Sequence, residues 1–323
     1  MGAQENDLLS SFFDSKSAAN LRILRAYLID AANVHAAGLD SNELAALSGA
    51  AFIVLSEVLR EALRPLRGTN PSWFSRPRHK EQLVQLDRAE LHSLLLRAVA
   101  GLEASSKSAP NARPDHFQWP DLRVCDSRQN LANLGKFNLA ITSPPYCTRI
   151  DYAVATIPEQ LALGELDEIG FLALRREIMG SVVTEKHSSG PPEVSPTSLL
   201  GRTLTAIQNH PTKAAGTYYS RYFSKYFDDL LRSISQLTSV IENGHIAVVV
   251  QSSYFKDVKI DLSGIVTEAM LAKGLTLSSS RAHFAKSSIA WSNPKFKLYR
   301  SSNVDTEDVL VFATSPITQR GLQ

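Results

Sequence analysis

The architecture of this 323-residue chain follows from one segment, Leu139-Ala140-Ile141-Thr142-Ser143-Pro144-Pro145-Tyr146. An apolar run ends there at two prolines and an aromatic ring. We expect a buried β-strand over 137–142 that stops at the prolines, because proline lacks an N–H group and its φ angle is fixed. Such a stiff corner holds backbone carbonyl groups and a ring in one place. The segment therefore predicts a functional site at the end of a central strand.

The first third of the sequence has the spacing of α-helices. Apolar residues recur every three or four positions over 21–29, 41–65 and 80–102. We predict three helices within a helical region of residues 1–105, with Ser41 as the N-cap of the second helix. Residues 106–121 are polar and contain prolines, which predicts a linker.

After the linker, strand patterns alternate with helical patterns. Strands are predicted at 122–125, 137–142 and 245–250, followed by an antiparallel pair at 275–284 and 308–313. Helices are predicted at 151–163, 171–179, 218–240 and 263–273. This alternation is typical of an α/β fold with a mostly parallel sheet. Residues 182–216 are polar and rich in Ser, Thr, Pro and Gly, so we expect a long loop there, of a kind that is usually functional or disordered.

The composition is that of an ordinary globular protein, with 44% apolar and 20% charged residues. The two cysteines, Cys125 and Cys147, have no clustered histidines near them, so neither a disulfide framework nor a metal site is expected. The N-terminus lacks a basic segment followed by an apolar one, and no apolar run approaches the roughly 20 residues of a membrane span. We therefore expect a cytoplasmic protein without membrane contact.

The net charge of +2 does not indicate a polyanionic partner, but the positive charges are clustered. Residues 60–80 contain six Lys or Arg and one acid, Glu61. Residues 269–304 contain six Lys or Arg, four aromatic residues and no acid. Basic side chains interleaved with aromatic rings suit contact with the phosphates and bases of a nucleic acid. A solvated basic surface explains either cluster alone equally well.

The Ser-Pro-Pro-Tyr segment at 143–146 resembles the catalytic motif of DNA amino-methyltransferases, in the form typical of enzymes that methylate N4 of cytosine. The resemblance extends over residues 122–314. Val124-Cys125-Asp126-Ser127 lies where these enzymes place an acidic residue after a strand, and Asp151-Tyr152 resembles a further consensus. Asn243-Gly244-His245 resembles the turn into the next strand, and residues 291–313 resemble the closing hairpin.

The resemblance implies an incomplete Rossmann-like methyltransferase sheet, the catalytic half of the fold, joined to the N-terminal helical region. The catalytic region would span residues 122–315, with a loop insertion at about 182–216. Taken with the methyltransferase motif, the two basic clusters favour DNA as a partner.

The resemblance also implies roles for the residues of the corner. An exocyclic amine conjugated to a base ring is a poor nucleophile, because its lone pair is delocalised. The hydroxyl of Ser143 and the carbonyl of Pro144 would accept the two amine hydrogens, with Pro145 completing the rigid catalytic turn. Tyr146 would stack on a base that has been flipped out of the duplex. Positioning then supplies most of the rate.

The same resemblance implies S-adenosylmethionine as the cofactor, with Asp126 and Thr142 among its contacts. Asp126 also suits the N-cap of a helix before Leu131, and the two roles are compatible. Asp151 and Tyr152 either pack against the corner or begin a helix. The aromatic cluster at 218–227 favours a helix packing face over a platform for bases. A rigid turn without catalysis is the competing explanation of the Ser-Pro-Pro-Tyr segment.

One expected feature is missing from the sequence. A methyltransferase normally binds its cofactor with a Gly-rich turn, where glycine lets the backbone approach the ligand. No Gly-x-Gly triplet occurs in the 323 residues. We hypothesise that a second protein subunit supplies the Gly-rich motif, the first two strands and the acid that binds the ribose. The cofactor pocket would then be shared between two chains, and residues 1–105 would bind the partner.

The sequence therefore predicts the catalytic subunit of a two-chain DNA methyltransferase, with N4 of cytosine favoured over N6 of adenine as the acceptor. The alternative is a non-catalytic pseudo-methyltransferase subunit that binds nucleic acid or scaffolds a partner. A third interpretation is an RNA or protein amino-methyltransferase with the same fold.

Overall fold

The computed structural model describes residues 7–34, 40–68, 73–108, 120–148, 150–183, 192–284 and 306–314. The chain divides into two compact units. Unit 1 comprises Met1–Leu122 and Ala153–Arg175, and unit 2 comprises Arg123–Tyr152 and Arg176–Gln323. Residues 153–175, which we expected in the catalytic region, therefore group with the N-terminal helices. An ion pair between Arg60 and Glu159 is one of the contacts that join them.

Unit 1 is helical, as predicted. Its long helices are α1 (Ser15–Val34), α2 (Ser41–Ala62) and α3 (Arg88–Ser108). The helix predicted at 151–163 is divided into α4 (Tyr152–Ala155) and α5 (Ile157–Leu163), because Pro158 has no N–H group with which to continue the hydrogen bonds of α4. Helix α6 covers Glu168–Glu177.

Two helix starts differ from the prediction. Asp40, rather than Ser41, caps α2: its side chain accepts from the Glu43 N–H group, and the Glu43 side chain accepts from the Asp40 N–H group. Helix α3 begins at Arg88 instead of residue 80. The backbone at Val84 is extended there, because its N–H group donates to Phe12 and its carbonyl accepts from Asp14.

Unit 2 contains a four-stranded mixed sheet. Its strands are β1 (Phe137–Thr142), β2 (Ile241–Gln251), β5 (Leu275–Phe284) and β6 (Thr306–Thr314). Across the sheet they lie in the order β1-β2-β6-β5. β1 and β2 are parallel, whereas β6 is antiparallel to both β2 and β5, so the prediction of a mostly parallel sheet is wrong. The predicted late antiparallel pair is thus confirmed. A hairpin of β3 (Ser253–Phe255) and β4 (Val258–Ile260) was not predicted.

Helices α7 (Leu199–Gln208), α8 (Ser220–Val240) and α9 (Leu262–Ala272) share one hydrophobic core with the sheet. A π-helical turn, Ala215–Tyr219, precedes α8. The prediction of a loop over 182–216 is wrong for α7. The side chain of Ser198 caps this helix, and Leu200 and Ile207 anchor its apolar face in the core.

Strand β1 lies at an edge of the sheet, and the prediction that it is buried is wrong. Phe137, Leu139 and Ile141 are 45%, 57% and 74% exposed. These side chains alternate with Ala140 and Thr142, which are partly buried. Within the described residues, β1 pairs only with β2, so its second edge and one of its faces are uncovered.

The strand predicted at 122–125 does not form. Leu122 and Val124 are almost fully exposed, at 86% and 107%. A strand requires a neighbour for its backbone hydrogen bonds, and the described part of the chain places none beside this segment.

Candidate functional site

The Ser-Pro-Pro-Tyr corner directly follows the carboxyl end of β1, as the sequence predicted. Ser143 is exposed, and the three residues after it are half-buried. The Ser143 hydroxyl donates to the carbonyl of Val249 on β2, at 3.3 Å. A hydroxyl group that donates one hydrogen bond can still accept others through its lone pairs, and the Tyr146 hydroxyl is one neighbour within hydrogen-bonding reach of Ser143.

Buried hydroxyl groups hold the backbone of the corner. The Tyr226 hydroxyl donates to the Pro145 carbonyl at 2.6 Å, and the Ser253 hydroxyl donates to the Cys147 carbonyl at 2.6 Å. The Tyr146 N–H group donates to the hydroxyl oxygen of Tyr152 at 3.3 Å. Within the described residues, no hydrogen bond reaches the carbonyl of Pro144. The corner is therefore rigid, and it leaves one backbone acceptor available.

The ring of Tyr146 is fixed at its far end. Its hydroxyl donates to the Glu307 carboxylate on β6 at 2.8 Å. Burial raises the pKa of this hydroxyl, and Glu307 raises it further while Ser143 lowers it. Tyr146 thus stays neutral well above pH 7 and presents an oriented, half-buried ring.

A cavity of about 210 Å³ opens beside the corner. Thr142, Ser143, Pro144 and Pro145 line it together with Ser127. Most of the remaining lining residues are apolar side chains from α8 and α9, namely Leu230, Ile234, Leu237, Val266 and Met270. The structure therefore brings the predicted motifs at 124–127 and 142–146 to one site. An apolar cavity with a few hydroxyl groups suits a flat heteroaromatic ring.

Asp126 lies in the loop that contributes Ser127 to this cavity. Its carboxylate accepts from the Arg128 side chain at 2.8 Å, and Arg128 also donates to Asp229 of α8 at 2.9 Å. The Arg128 guanidinium lowers the pKa of Asp126 to about 2. The N-cap interpretation of Asp126 is wrong, because the short helix Leu131–Leu134 is preceded by Asn130.

Both interpretations of Asp151 and Tyr152 apply. Asp151 is fully buried and accepts from the Ser181 hydroxyl at 3.4 Å, while Tyr152 begins α4. Through its hydroxyl, Tyr152 also contacts the corner. The cluster at 218–227 is a packing face, as predicted, with four fully buried rings at Tyr222, Phe223, Tyr226 and Phe227.

The basic cluster at 60–80 is largely neutralised by carboxylates of unit 1. Arg60 pairs with Glu57 and Glu159, both Arg64 and Arg67 with Glu61, and Arg76 with Glu168. These pairs favour the solvated surface over a DNA contact. Residues 285–305 of the second basic cluster, and most of the segment expected to form the closing hairpin, lie outside the described residues.

Sequence reasoning missed three site residues: Glu307, Tyr226 and Asp229. Tyr226 was recognised only as part of an aromatic helix face. The available signal was the alternation of tyrosine with phenylalanine in α8, because a buried tyrosine hydroxyl needs a partner. Glu307 and Asp229 reach the site only through the fold, from 161 and 101 residues away along the chain.

Other features of the described residues are plain. Cys125 is exposed and Cys147 is buried, where burial raises the pKa of the thiol. No group of three or more His, Cys, Asp or Glu side chains in the described ranges is placed to hold a metal ion. None of the helices that the structure describes is long and apolar enough to cross a membrane.

Comparisons with known proteins found no match: no family model, no curated protein and no solved structure is similar to this chain.

Proposed function

We propose that the chain is the catalytic subunit of a split, two-chain S-adenosylmethionine-dependent DNA methyltransferase in the cytoplasm. Its acceptor is an exocyclic amine of a flipped base, with N4 of cytosine favoured over N6 of adenine. One observation carries the proposal: Ser143, Pro144 and Pro145 of the corner line a cavity at the end of a strand whose outer edge pairs with no other strand among the described residues. The candidate catalytic corner therefore directly follows the strand, β1, at whose edge the rest of the methyltransferase sheet would pair.

The hydrogen-bonding pattern of the corner supports an amine as the acceptor. The Pro145 carbonyl is occupied by Tyr226, and the Ser143 proton is directed at Val249. What the corner offers a ligand is the Pro144 carbonyl and the lone pairs of Ser143. Two acceptors match the two hydrogens of an exocyclic amine and would localise its lone pair for in-line attack on a methyl group.

The ring of Tyr146 also supports a flipped base as the substrate. Because Glu307 fixes its hydroxyl at 2.8 Å, the ring is held in one orientation. A neutral, half-buried aromatic face of this kind suits stacking on an extruded base.

The cofactor fits this chain in part. The cavity beside the corner is apolar enough for an adenine ring, and Ser127 and Thr142 place hydroxyl groups on its wall. Asp126 lies next to it, bound by Arg128. When bound, S-adenosylmethionine supplies an electrophilic methyl group. The sequence offers no Gly-x-Gly turn for the rest of the cofactor, so that part of the pocket is assigned to the partner.

The edge strand supports a second chain. Leu139 and Ile141 expose 57% and 74% of their surface, although strands in parallel sheets are normally covered on both faces. An open apolar edge is a template for pairing with another strand. We assign this edge to the first strand of the partner subunit, which would bring the Gly-rich turn beside the corner.

The test is a reconstitution. The chain is co-purified with the products of neighbouring genes, and transfer of labelled methyl to DNA is measured, with the modified base identified by mass spectrometry. We expect activity only in the two-chain complex, and a loss of about a hundredfold or more for Ser143→Ala and Tyr146→Ala. Ser278→Ala changes an exposed serine on β5 and is the control, which should keep the wild-type rate.

Three results would count against the proposal. Methyl transfer by the chain alone, with tight cofactor binding, would contradict the split enzyme. A complex with full activity in both corner variants would contradict the catalytic assignment, and a complex that binds DNA without methylating it would favour the pseudo-methyltransferase.

A further inference from the structure

One face of helix α8 carries a row of polar side chains at positions 226, 229, 233 and 236. The spacing of three or four residues places them on one stripe of the helix. Each of the four forms a hydrogen bond to a loop that lines the cavity. They stand among the apolar residues of the same helix that form the cavity wall.

The first residue of the stripe reaches the corner. Tyr226 is 1% exposed, and its neighbours Phe223 and Phe227 show that phenylalanine suits this environment. A buried hydroxyl destabilises the fold unless it is hydrogen-bonded. Tyr226 donates to Pro145 at 2.6 Å, which fixes the carbonyl next to the one that the substrate would use. Burial also raises the pKa of Tyr226, so the donor keeps its proton at any working pH.

The other three residues reach the loop at 126–131. Asp229, which is 4% exposed, accepts from Arg128 at 2.9 Å. The Ser233 and Ser127 hydroxyl oxygens lie 3.0 Å apart, and the Gln236 side chain accepts from the Leu131 N–H group at 3.3 Å. This loop follows a segment that forms no strand, so α8 supplies its principal attachment within the described residues.

We propose that Tyr226, Asp229, Ser233 and Gln236 form a positioning stripe, which sets the distance between the Ser-Pro-Pro-Tyr corner and the loop at 126–131. Its consequence for catalysis rests on the proposed function, because the corner would hold the acceptor amine and the loop would contact the cofactor. The structural coupling itself does not depend on that function. None of the four is a catalytic residue, since each acts through the loop that it holds.

The first test uses the free chain and needs no partner. Hydrogen exchange of the backbone amides at 146–148 is compared between the wild type, Tyr226→Phe and Tyr222→Phe. Tyr222 is the matched control: it lies on the same helix, is equally buried, and donates to Gly180 instead of the corner. We expect Tyr226→Phe to speed this exchange about tenfold, the effect of one lost hydrogen bond, and Tyr222→Phe to leave it unchanged. Equal exchange in all three proteins would overturn the proposal.

The second test covers the other end of the stripe. Asp229→Asn and Ser233→Ala should each speed exchange of the amides at 127–133 severalfold without changing those at 146–148. If Tyr226→Phe does not fold, the variants Asp229→Asn and Ser233→Ala still test whether α8 holds the loop at 126–131. Unchanged exchange at 127–133 in both variants would show that α8 does not hold the loop.

The third test uses the reconstituted complex. Tyr226→Phe should lower kcat about tenfold and leave the KM for S-adenosylmethionine within about twofold, whereas Asp229→Asn should mainly raise that KM. If both variants lowered kcat and raised the KM to the same extent, the changes would indicate general destabilisation. This result would contradict separate positioning roles for Tyr226 and Asp229. An inactive wild-type complex would reject the proposed function, while the exchange results would still decide whether the stripe positions the loops.

Discussion

The Cβ of any residue other than glycine at position 244 would lie 1.9 Å from the carbonyl oxygen of Asn138. Gly244 lies in an irregular stretch of β2, immediately before regular pairing with β1 resumes at His245. We expect Gly244→Ala to destabilise the fold by about 3 kcal/mol, because two backbone segments must separate. Gly101 in α3 has no atom within 4 Å of its added Cβ, so Gly101→Ala should stabilise by about 0.5–1 kcal/mol. Urea unfolding measures both, and equal effects would contradict the prediction.

Asp126 gives the site a defined response to acid. Its pKa in the folded protein is about 2, held down by Arg128, against about 3.9 when unfolded. A depressed carboxyl pKa stabilises the folded state above pH 4, and this stabilisation is lost as the pH falls towards 2. We expect Asp126→Asn to be less stable than wild type by roughly 1 kcal/mol at pH 6, after allowance for solvent screening, and most of this difference to be gone at pH 2.

Thermal unfolding at pH 6, 4, 3 and 2 follows this difference directly. Parallel loss of stability in wild type and Asp126→Asn between pH 4 and 2 would show that the pair with Arg128 contributes nothing.

Helix α7 shows how much one capping residue contributes to an element. The Ser198 side chain accepts from the Gly201 N–H group at 3.0 Å and replaces a hydrogen bond that the first turn lacks. Ser198→Ala should destabilise the fold by about 1 kcal/mol, whereas Ser198→Asp keeps an acceptor and should stay near wild type. Denaturant midpoints at constant slope provide the measurement. Equal midpoints for the alanine and aspartate variants would mean that the cap is not used.

The helices and strands that could be predicted from the sequence are those whose formation is encoded by nearby residues. α1, α2, α8 and α9 have continuous apolar periodicity, and β2 has an unbroken apolar run. The start of α3 was wrong because Val84 pairs with Phe12, a contact that local spacing does not encode. α7 was missed because its segment is polar overall, although Ser198 and the spacing of Leu200 and Ile207 marked it.

The candidate site, like the fold, was predicted only where the signal in the sequence is local. The corner at 143–146 and the loop with Ser127 were found from short motifs, and the structure places both on one cavity. The residues that hold these two segments in place were not predicted, because Glu307 and Asp229 come from distant parts of the chain. The failures at 122–125 and at β1 share one physical cause. Both segments have the apolar pattern of strands, and the described part of the chain does not cover them.

Assembly of the proposed complex can be tested at β1, whose outer edge is unpaired in the part of the chain that the structure describes. Ile141 is 74% exposed on β1, and Ile169 is 79% exposed on α6, so neither substitution by lysine should unfold the chain. We expect Ile141→Lys to weaken binding of the partner subunit at least about tenfold, because a charge would enter an apolar interface. Ile169→Lys is the matched control and should bind as wild type does. Analytical ultracentrifugation of the mixed chains measures both, and equal affinities would contradict a partner at β1.

Because α8 contacts both the corner and the loop at 126–131, an insertion within this helix would disturb the site. Each residue of an α-helix advances the side-chain direction by about 100°. One residue inserted between Tyr226 and Asp229 would turn the contacts to the 126–131 loop away from the cavity while the contact to Pro145 stayed in place. An insertion at 209–214, before the π-helical turn, would leave all four contacts in phase. Length variants should therefore be tolerated ahead of this turn and inactivating within the helix that follows it.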